Sequence, residues 1–104
     1  MDNEYPTEEQ LKIIREWPLF GQEYADPDKF TALMAYIRPL WYAAEMGYWQ
    51  EHDGVYEIST AGWSGNESII EALEANEAFW MLYFCRMDRG GHYVFASQET
   101  WIGR

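Results

Sequence analysis

The sequence predicts an α+β fold with two N-terminal helices followed by a β-hairpin, a helix and a second β-hairpin. The two hairpin turns are His52-Asp53-Gly54 and Asp88-Arg89-Gly90-Gly91, which combine glycine with other turn-forming residues. The first turn joins the strand-like runs Tyr48–Glu51 and Val55–Ser59. Two hairpins separated by one helix favour a four-stranded antiparallel sheet packed against helices. A length of 104 residues fits a single domain, residues 1–104.

The first predicted helix has both a start signal and a stop signal. Thr7-Glu8-Glu9-Gln10 fits a capping box, in which two side chains bind backbone N–H groups reciprocally. Pro18 ends the helix because proline removes a backbone donor and clashes with the preceding turn. In the connector Leu19–Ala25, we expect Phe20 and Tyr24 to pack back on the core. The apolar face of this helix consists of Leu11, Ile14 and Trp17.

The second predicted helix begins at Asp26-Pro27, an N-cap residue followed by proline at the first helical position. Its apolar stripe keeps helical spacing through Pro39, so we expect one helix that is kinked near Tyr36 and ends at Gly47. The stripe consists of Phe30, Leu33, Met34, Ile37, Trp41 and Ala44.

The third predicted helix carries Ile69, Ile70 and Leu73 on its apolar face and ends near Asn76. The run Phe79–Met87 that follows is apolar at nearly every position. It predicts a central strand covered on both faces, or else a continuation of the third helix. Its aromatic content and the glycine turn after it favour the strand. His92–Ser97 then completes the second hairpin, and Gln98–Arg104 forms a tail anchored by Trp101.

The net charge of −11 argues against direct binding of nucleic acid, because a negative field repels phosphates. It favours a partner with a basic surface. Residues 1–58 hold 12 acids and four bases, whereas residues 78–104 hold two acids and three bases, so we expect an N-terminal acidic surface. The candidate partner-binding carboxylates are Glu4, Glu8, Glu9, Glu16, Glu23, Asp26 and Asp28.

Six Trp, eight Tyr and five Phe exceed what a core of this size needs, so some rings are expected at the surface as contact anchors. Met1–Gln10 has no apolar signal-peptide core, and no run reaches the roughly 18 apolar residues of a membrane helix. We expect a cytoplasmic protein that does not bind membranes. The single Cys85 fits a reducing compartment. Its apolar neighbours favour a buried thiol over a catalytic one activated by His52 or His92.

The glycine-containing loop Thr60–Glu67 is the first candidate site. It follows a strand and opens a helix, where backbone N–H groups can bind an anion or a polar ligand. Ser64 caps the helix while Glu67 reaches back, or Asn66 caps it instead. The residues expected to contact a ligand here are Trp63, Ser64, Gly65 and Asn66. A phosphate-loop ATPase is excluded, because no Gly-Lys-Ser/Thr follows the glycines.

The second candidate site is the turn flanked by Arg86, Arg89 and His92. Arginine forms bidentate bonds with carboxylate or phosphate, and histidine adds a further donor. If this turn lies beside the glycine loop, the two features form one pocket for an anionic, nucleotide-like small molecule. Otherwise the turn is an ordinary hairpin with solvated arginines. No pattern predicts a metal or another cofactor.

An enzymatic function has little support in the sequence. A hydrolase hypothesis needs a nucleophile, a base and a carboxylate, and the sequence offers Ser64, His92 and Glu67 for these roles. The spacing of Gly62-Trp63-Ser64-Gly65 does not match the nucleophile elbow Gly-x-Ser-x-Gly. The paired carboxylates Glu71 and Glu74 occupy what is expected to be a solvated helix face. We therefore expect a binding protein, with a hydrolase using Ser64 and His92 as the alternative.

Two segments carry a resemblance to a known group. Thr60-Ala61-Gly62-Trp63-Ser64-Gly65-Asn66-Glu67 and Arg89-Gly90-Gly91-His92-Tyr93-Val94-Phe95 resemble a group of small uncharacterised bacteriophage proteins. In that group the loop usually begins Thr-Gly-Gly-Trp, so Ala61 departs from it, and Asp88 replaces an arginine before the second segment. The similarity covers about residues 56–95.

This resemblance implies a phage or prophage gene expressed in a bacterial cytoplasm. Combined with the acidity and the surplus aromatics, it leads us to expect a protein that inhibits or redirects a host factor. A component of antiviral defence is the favoured target, with imitation of nucleic acid as one means. The expected partner is a host protein with a basic surface, and the chain is expected to be a monomer or a homodimer. The alternative is a protein that binds or sequesters an anionic small molecule.

Overall fold

A computed structural model describes residues 5–103 as an α+β fold. The helices are α1 Glu8–Arg15, α2 Pro27–Ile37, α3 Ser64–Ala75, α4 Glu77–Tyr83 and α5 Gln98–Ile102. The strands are β1 Trp49–His52, β2 Val55–Ser59, β3 Phe84–Asp88 and β4 His92–Phe95. They form one antiparallel sheet in the order β1-β2-β4-β3. The predicted fold class and four-stranded sheet are confirmed, whereas the arrangement of the helices differs from the prediction in detail.

The two faces of the sheet have different coverings. On one face, Tyr56 and Ile58 of β2 join the main core with α1, α2, α3 and α4. On the other face, Val55 joins Val94 and Ala96 in a smaller cluster, against which Trp101 of α5 packs. Within residues 5–103, no helix is long and apolar enough to cross a membrane.

The capping box of α1 is confirmed, but the connector after it packs differently from the prediction. The Thr7 side chain accepts from the Gln10 backbone N–H at 3.1 Å, and the Gln10 side chain accepts from the Thr7 N–H at 2.8 Å. In the connector, Leu19 is buried, whereas Phe20 and Tyr24 are 48% and 77% exposed. The prediction that these two rings pack on the core is wrong. A backbone bridge between Phe20 and Ala25 forms a tight turn here, so Leu19 points inward and its neighbour points out.

The predicted long second helix is also wrong, because α2 ends at Ile37. A 3₁₀ turn, Arg38–Leu40, contains Pro39, and Ala43 then adopts a left-handed conformation with φ of 62°. Proline cannot donate the backbone hydrogen bond that would continue the helix. Trp41 is nevertheless buried, and its indole N–H donates to the Tyr48 and Ser59 carbonyls, each at 3.1 Å. The helical spacing of apolar residues thus continues past the end of α2, because the Trp41 side chain reaches the core from an extended backbone.

The run Phe79–Met87 contains both a helix and a strand, so neither predicted alternative is correct over its whole length. Its first part belongs to α4, and β3 begins at Phe84. Asn76 separates α3 from α4, because its extended backbone ends one helix while its side chain accepts from the Phe79 N–H at 3.1 Å. At the other end of the chain, α5 replaces the predicted tail and is capped by Ser97.

Candidate functional site

The glycine loop is a tight left-handed turn between β2 and α3. Ala61 and Gly62 have φ values of 55° and 70°, and the Trp63 N–H donates to the Thr60 carbonyl at 2.8 Å. The helix begins at Ser64, with Trp63 as its N-cap residue and no side-chain cap. The predicted caps at Ser64 and Asn66 are therefore wrong, because the turn brings Trp63 rather than a hydroxyl or amide side chain to the N-cap position.

Asn66 is completely buried and holds two loops together. Its Oδ1 accepts from the Tyr42 N–H at 2.8 Å, and its Nδ2 donates to the Tyr42 carbonyl at 3.1 Å and the Thr60 carbonyl at 3.4 Å. The Asn66 side-chain amide is therefore already hydrogen-bonded within the protein. Gly65 beside it is also buried. Two of the four predicted ligand-contacting residues in this loop thus lie under the surface.

Three aromatic rings form a cluster at the start of α3, which we call the aromatic stack and which consists of Tyr5, Tyr42 and Trp63. Trp63 and Tyr42 stack with ring centroids 4.3 Å apart and an interplanar angle of 18°. Tyr5 lies 5.9 Å from Trp63, and its hydroxyl is 3.3 Å from the Ser64 Oγ. Tyr5 and Tyr42 are 52% and 39% exposed, so the aromatic stack reaches the surface.

Carboxylates follow the aromatic stack along the exposed side of α3. Glu67, Glu71 and Glu74 lie on successive turns, and we call them the acidic row. No Lys or Arg occurs between residues 60 and 77. Within the part of the chain that the structure describes, no ion pair joins these three carboxylates to a base. Glu71 and Glu74 are exposed, as predicted, and the absence of bases that distinguishes this helix face is visible in the sequence.

The acidic row borders a cleft of about 290 Å³ between α3 and β4. Tyr93 of β4 lines this cleft. Burial raises the pKa of the Tyr93 hydroxyl, and the nearby carboxylates of Glu74 and Glu67 raise it further. The line of carboxylates suits a cationic group rather than an anion. The other lining residues are Thr60, Ile70, Glu71 and Gly91.

The glycine loop and the second hairpin turn lie side by side. The Thr60 N–H donates to the Gly91 carbonyl at 3.0 Å. A Cβ at position 91 would overlap the Thr60 Oγ1, so the two segments make a contact that only glycine allows at 91. The pocket that this adjacency forms is nevertheless lined by carboxylates, and neither Trp63 nor Arg86 contributes to it.

The outer face of the sheet, opposite the main core, carries two of the three predicted cationic residues, Arg86 and His92. The Arg86 Nε is 3.3 Å from Asp88, and its guanidinium lies 5.8 Å from the Trp101 ring centroid. His92 faces Glu57, with 3.5 Å between Nε2 and Oε1. Arg89 is exposed at the hairpin turn. The structure therefore pairs two of these residues with carboxylates of the chain itself.

Glu57 is held by two histidines from the neighbouring strands. The His52 Nε2 donates to Oε2 at 3.0 Å, while His92 approaches the other carboxylate oxygen. Burial raises the pKa of Glu57, but hydrogen bonds from His52 and His92 outweigh it, so the pKa lies below the ordinary value of 4.5. A cleft of about 340 Å³ lies beside this cluster and is lined by Glu57, Arg86, Val94 and Trp101.

The N-terminal carboxylates predicted to bind a partner have varied surroundings. Glu8 forms an ion pair with Arg15 at 2.7 Å, and Asp26 caps α2 by accepting from the Asp28 N–H at 3.0 Å. Glu4 lies outside the described residues. The remaining members of the set are exposed: Glu9, Glu16, Glu23 and Asp28. α1 also carries Lys12 and Arg15, so its surface charge is mixed, unlike that of α3.

The residues of the alternative catalytic hypotheses have other hydrogen-bonding partners. Ser64 contacts Tyr5, whereas His92 contacts Glu57, so the two do not form a hydrogen-bonded pair. The half-buried Cys85 thiol lies 3.6 Å from the Ala96 carbonyl and packs against the smaller apolar cluster. Among residues 5–103, no group of three or more His, Cys, Asp or Glu side chains is placed to hold a metal ion.

No protein-family model matches the chain, and neither the curated proteins nor the solved structures include a match to it.

Proposed function

We propose that the chain is a small acidic phage-encoded binding protein that inhibits or redirects a host factor with a basic surface. The observation that carries this proposal is the placement of the acidic row on the exposed side of α3, next to the aromatic stack at the start of that helix. A component of antiviral defence is the target class that we favour. The phage origin rests on the resemblance of residues 56–95 to small bacteriophage proteins.

The acidic row and the aromatic stack supply complementary parts of a binding surface. Aromatic side chains bury a large area at low entropic cost and dominate the affinity of many interfaces. Carboxylates arranged along one line steer a basic partner and orient it during encounter. Glu67 follows Trp63 by one helical turn, and its N–H donates to the Trp63 carbonyl at 3.0 Å, so the two parts are continuous. A groove that binds nucleic acid is one basic surface of suitable charge.

The decisive experiment compares two variants that change the net charge equally. One variant replaces Glu67, Glu71 and Glu74 with glutamine, and the matched control replaces the exposed Glu9, Glu16 and Glu23. Each tagged protein is used to capture partners from bacterial lysate, which are identified by mass spectrometry. We expect the wild type and the control to retain one host protein near equal stoichiometry and the acidic-row variant to lose it.

Two results would contradict the proposal. If the wild type captures nothing near equal stoichiometry, the binding function itself is wrong. If the control loses the partner and the acidic-row variant keeps it, the assignment of the binding surface to α3 is wrong. The partner would then bind the N-terminal carboxylates.

The alternative hypothesis, an anionic small molecule bound at the Trp63–Glu67 loop, has less physical support. The Gly62 N–H is 3.3 Å from the Thr60 Oγ1 and the Trp63 N–H bonds the Thr60 carbonyl, so these donors already have acceptors. The adjacent cleft is lined by carboxylates, which would repel such a ligand.

A further inference from the structure

We propose that two copies of the chain associate through the edge strand β3, antiparallel to each other and centred on Met87. This inference is independent of the proposed function, because it concerns the opposite end of the sheet from β1 and does not use α3. The occupant of the edge is a second copy of this chain.

β3 has an open backbone edge. The sheet order places β3 at one end, and within residues 5–103 it pairs with β4 alone. An edge strand presents a row of backbone N–H and C=O groups that another strand can bind. A bulge between Phe84 and Arg86 interrupts the regular ladder, so the regular part of the edge is short and extends from Arg86 to Asp88.

Exposed apolar side chains belong to the elements around this edge. Met87 of β3 is 54% exposed. Met81 lies in α4, which leads directly into β3, and is 73% exposed. Pairing centred on Met87 places the Met87 side chains of the two copies opposite each other, which adds hydrophobic stabilisation to the short backbone ladder.

The distribution of charge favours this part of the molecule for self-association. Residues 5–77 hold 14 acids and four bases, so two copies that meet through them repel each other. Residues 78–103 hold two acids, Asp88 and Glu99, and two bases, Arg86 and Arg89. The β3 edge therefore lies in a part of the described chain that has no net charge, where like-charge repulsion is small.

The sequence of β3 selects one register. In an antiparallel pair centred on Met87, Arg86 lies opposite Asp88 of the second copy, and the pairing occurs twice by symmetry. A centre at Arg86 or at Asp88 would instead place two like charges directly opposite each other. Opposite charges directly across two strands are stabilising, and like charges are destabilising. The Arg86–Asp88 ion pair is at the surface, with both side chains about half exposed, so both groups can face a second strand.

A charge-exchange experiment tests both the edge and the register. The variants are Arg86→Asp, which makes both flanking charges negative, and Asp88→Arg, which makes both positive. The oligomeric state of the full chain is measured by sedimentation velocity over a concentration series. We expect the wild type to form dimers, each variant alone to be monomeric, and an equimolar mixture of the two variants to form dimers again.

The mixture also controls for folding, because two misfolded variants would not restore a defined dimer. A wild type that is monomeric at every soluble concentration would overturn the proposal. So would variants that each dimerise as well as the wild type. A mixture that stays monomeric, although both variants unfold cooperatively, would overturn the register centred on Met87.

Discussion

At the scale of single residues, Asn76 joins three helices through one carboxamide. Its Oδ1 accepts from the Phe79 N–H at the start of α4, while its Nδ2 donates to the Ile14 and Trp17 carbonyls at 3.0 Å and 3.1 Å. The residue is 5% exposed, so water does not replace these bonds. Asn76 thus fixes the end of α1 against the junction of α3 and α4.

Replacement of Asn76 should be strongly destabilising. For Asn76→Ala we expect a loss of about 2–4 kcal/mol, because a helix cap disappears and buried carbonyls lose their donors. Asn76→Asp keeps the acceptor but removes the donors, so we expect it to be no more stable than the alanine variant at neutral pH. Urea denaturation measures both free energies of unfolding. An exposed amide provides the control, since Gln98→Ala should change stability by less than about 0.5 kcal/mol. An Asn76→Ala variant with the same free energy of unfolding as the wild type would contradict this role.

Glu57 should make the stability of the fold depend on pH in the acidic range. Its folded-state pKa lies below 4.5, so its carboxylate stabilises the fold above pH 4.5 and loses that contribution as the pH falls through the folded pKa. We expect the stability difference between wild type and Glu57→Gln to be largest above pH 4.5 and to shrink as the pH falls below that value. Urea denaturation over this range measures it, with the exposed Glu45→Gln as a control for net charge. A difference that grows as the pH falls would contradict the assignment.

At the scale of the elements, local signals predicted what local interactions determine. The capping box of α1, the start of α2 at Pro27 and the turn at Asp53-Gly54 each depend on a few neighbouring residues, and all are present. The end of α2 was not predictable in this way. Trp41 is buried although its backbone is extended, so its apolar character does not indicate where the helix stops.

The division of Phe79–Met87 into α4 and β3 depends on contacts between distant parts of the chain. The end of α3 near Asn76 was predictable, but the Asn76 side chain that starts α4 also donates to the Ile14 carbonyl of α1 and to the Trp17 carbonyl beyond it, which no pattern around residue 76 reveals. The candidate site was predictable only in part, for the same reason. The sequence placed Trp63 at the start of α3, but only the fold brings Tyr5 and Tyr42 to it and places Arg86 and His92 next to carboxylates.

At the scale of the whole molecule, the net charge of −11 should make the protein more stable in salt. Carboxylates on a compact chain repel one another, and salt screens charges over a Debye length of about 10 Å at 0.1 M. We expect the Tm to rise between about 10 mM and about 0.5 M sodium chloride, while affinity for a basic partner falls. Thermal denaturation measures the first effect, and it should be smaller in the variant with three glutamines in the acidic row. A Tm that falls over this range would contradict the argument.

The contact between Thr60 and Gly91 limits how this chain can change over evolutionary time. A side chain at position 91 must both fit against the Thr60 Oγ1 and adopt a φ of 78°, which asparagine and aspartate tolerate best after glycine. A descendant sequence can therefore acquire a larger residue at 91 only after position 60 has become smaller, as alanine or glycine. Substitutions at positions 60 and 91 should therefore be correlated, with the change at 60 coming first, although the two positions belong to different hairpins.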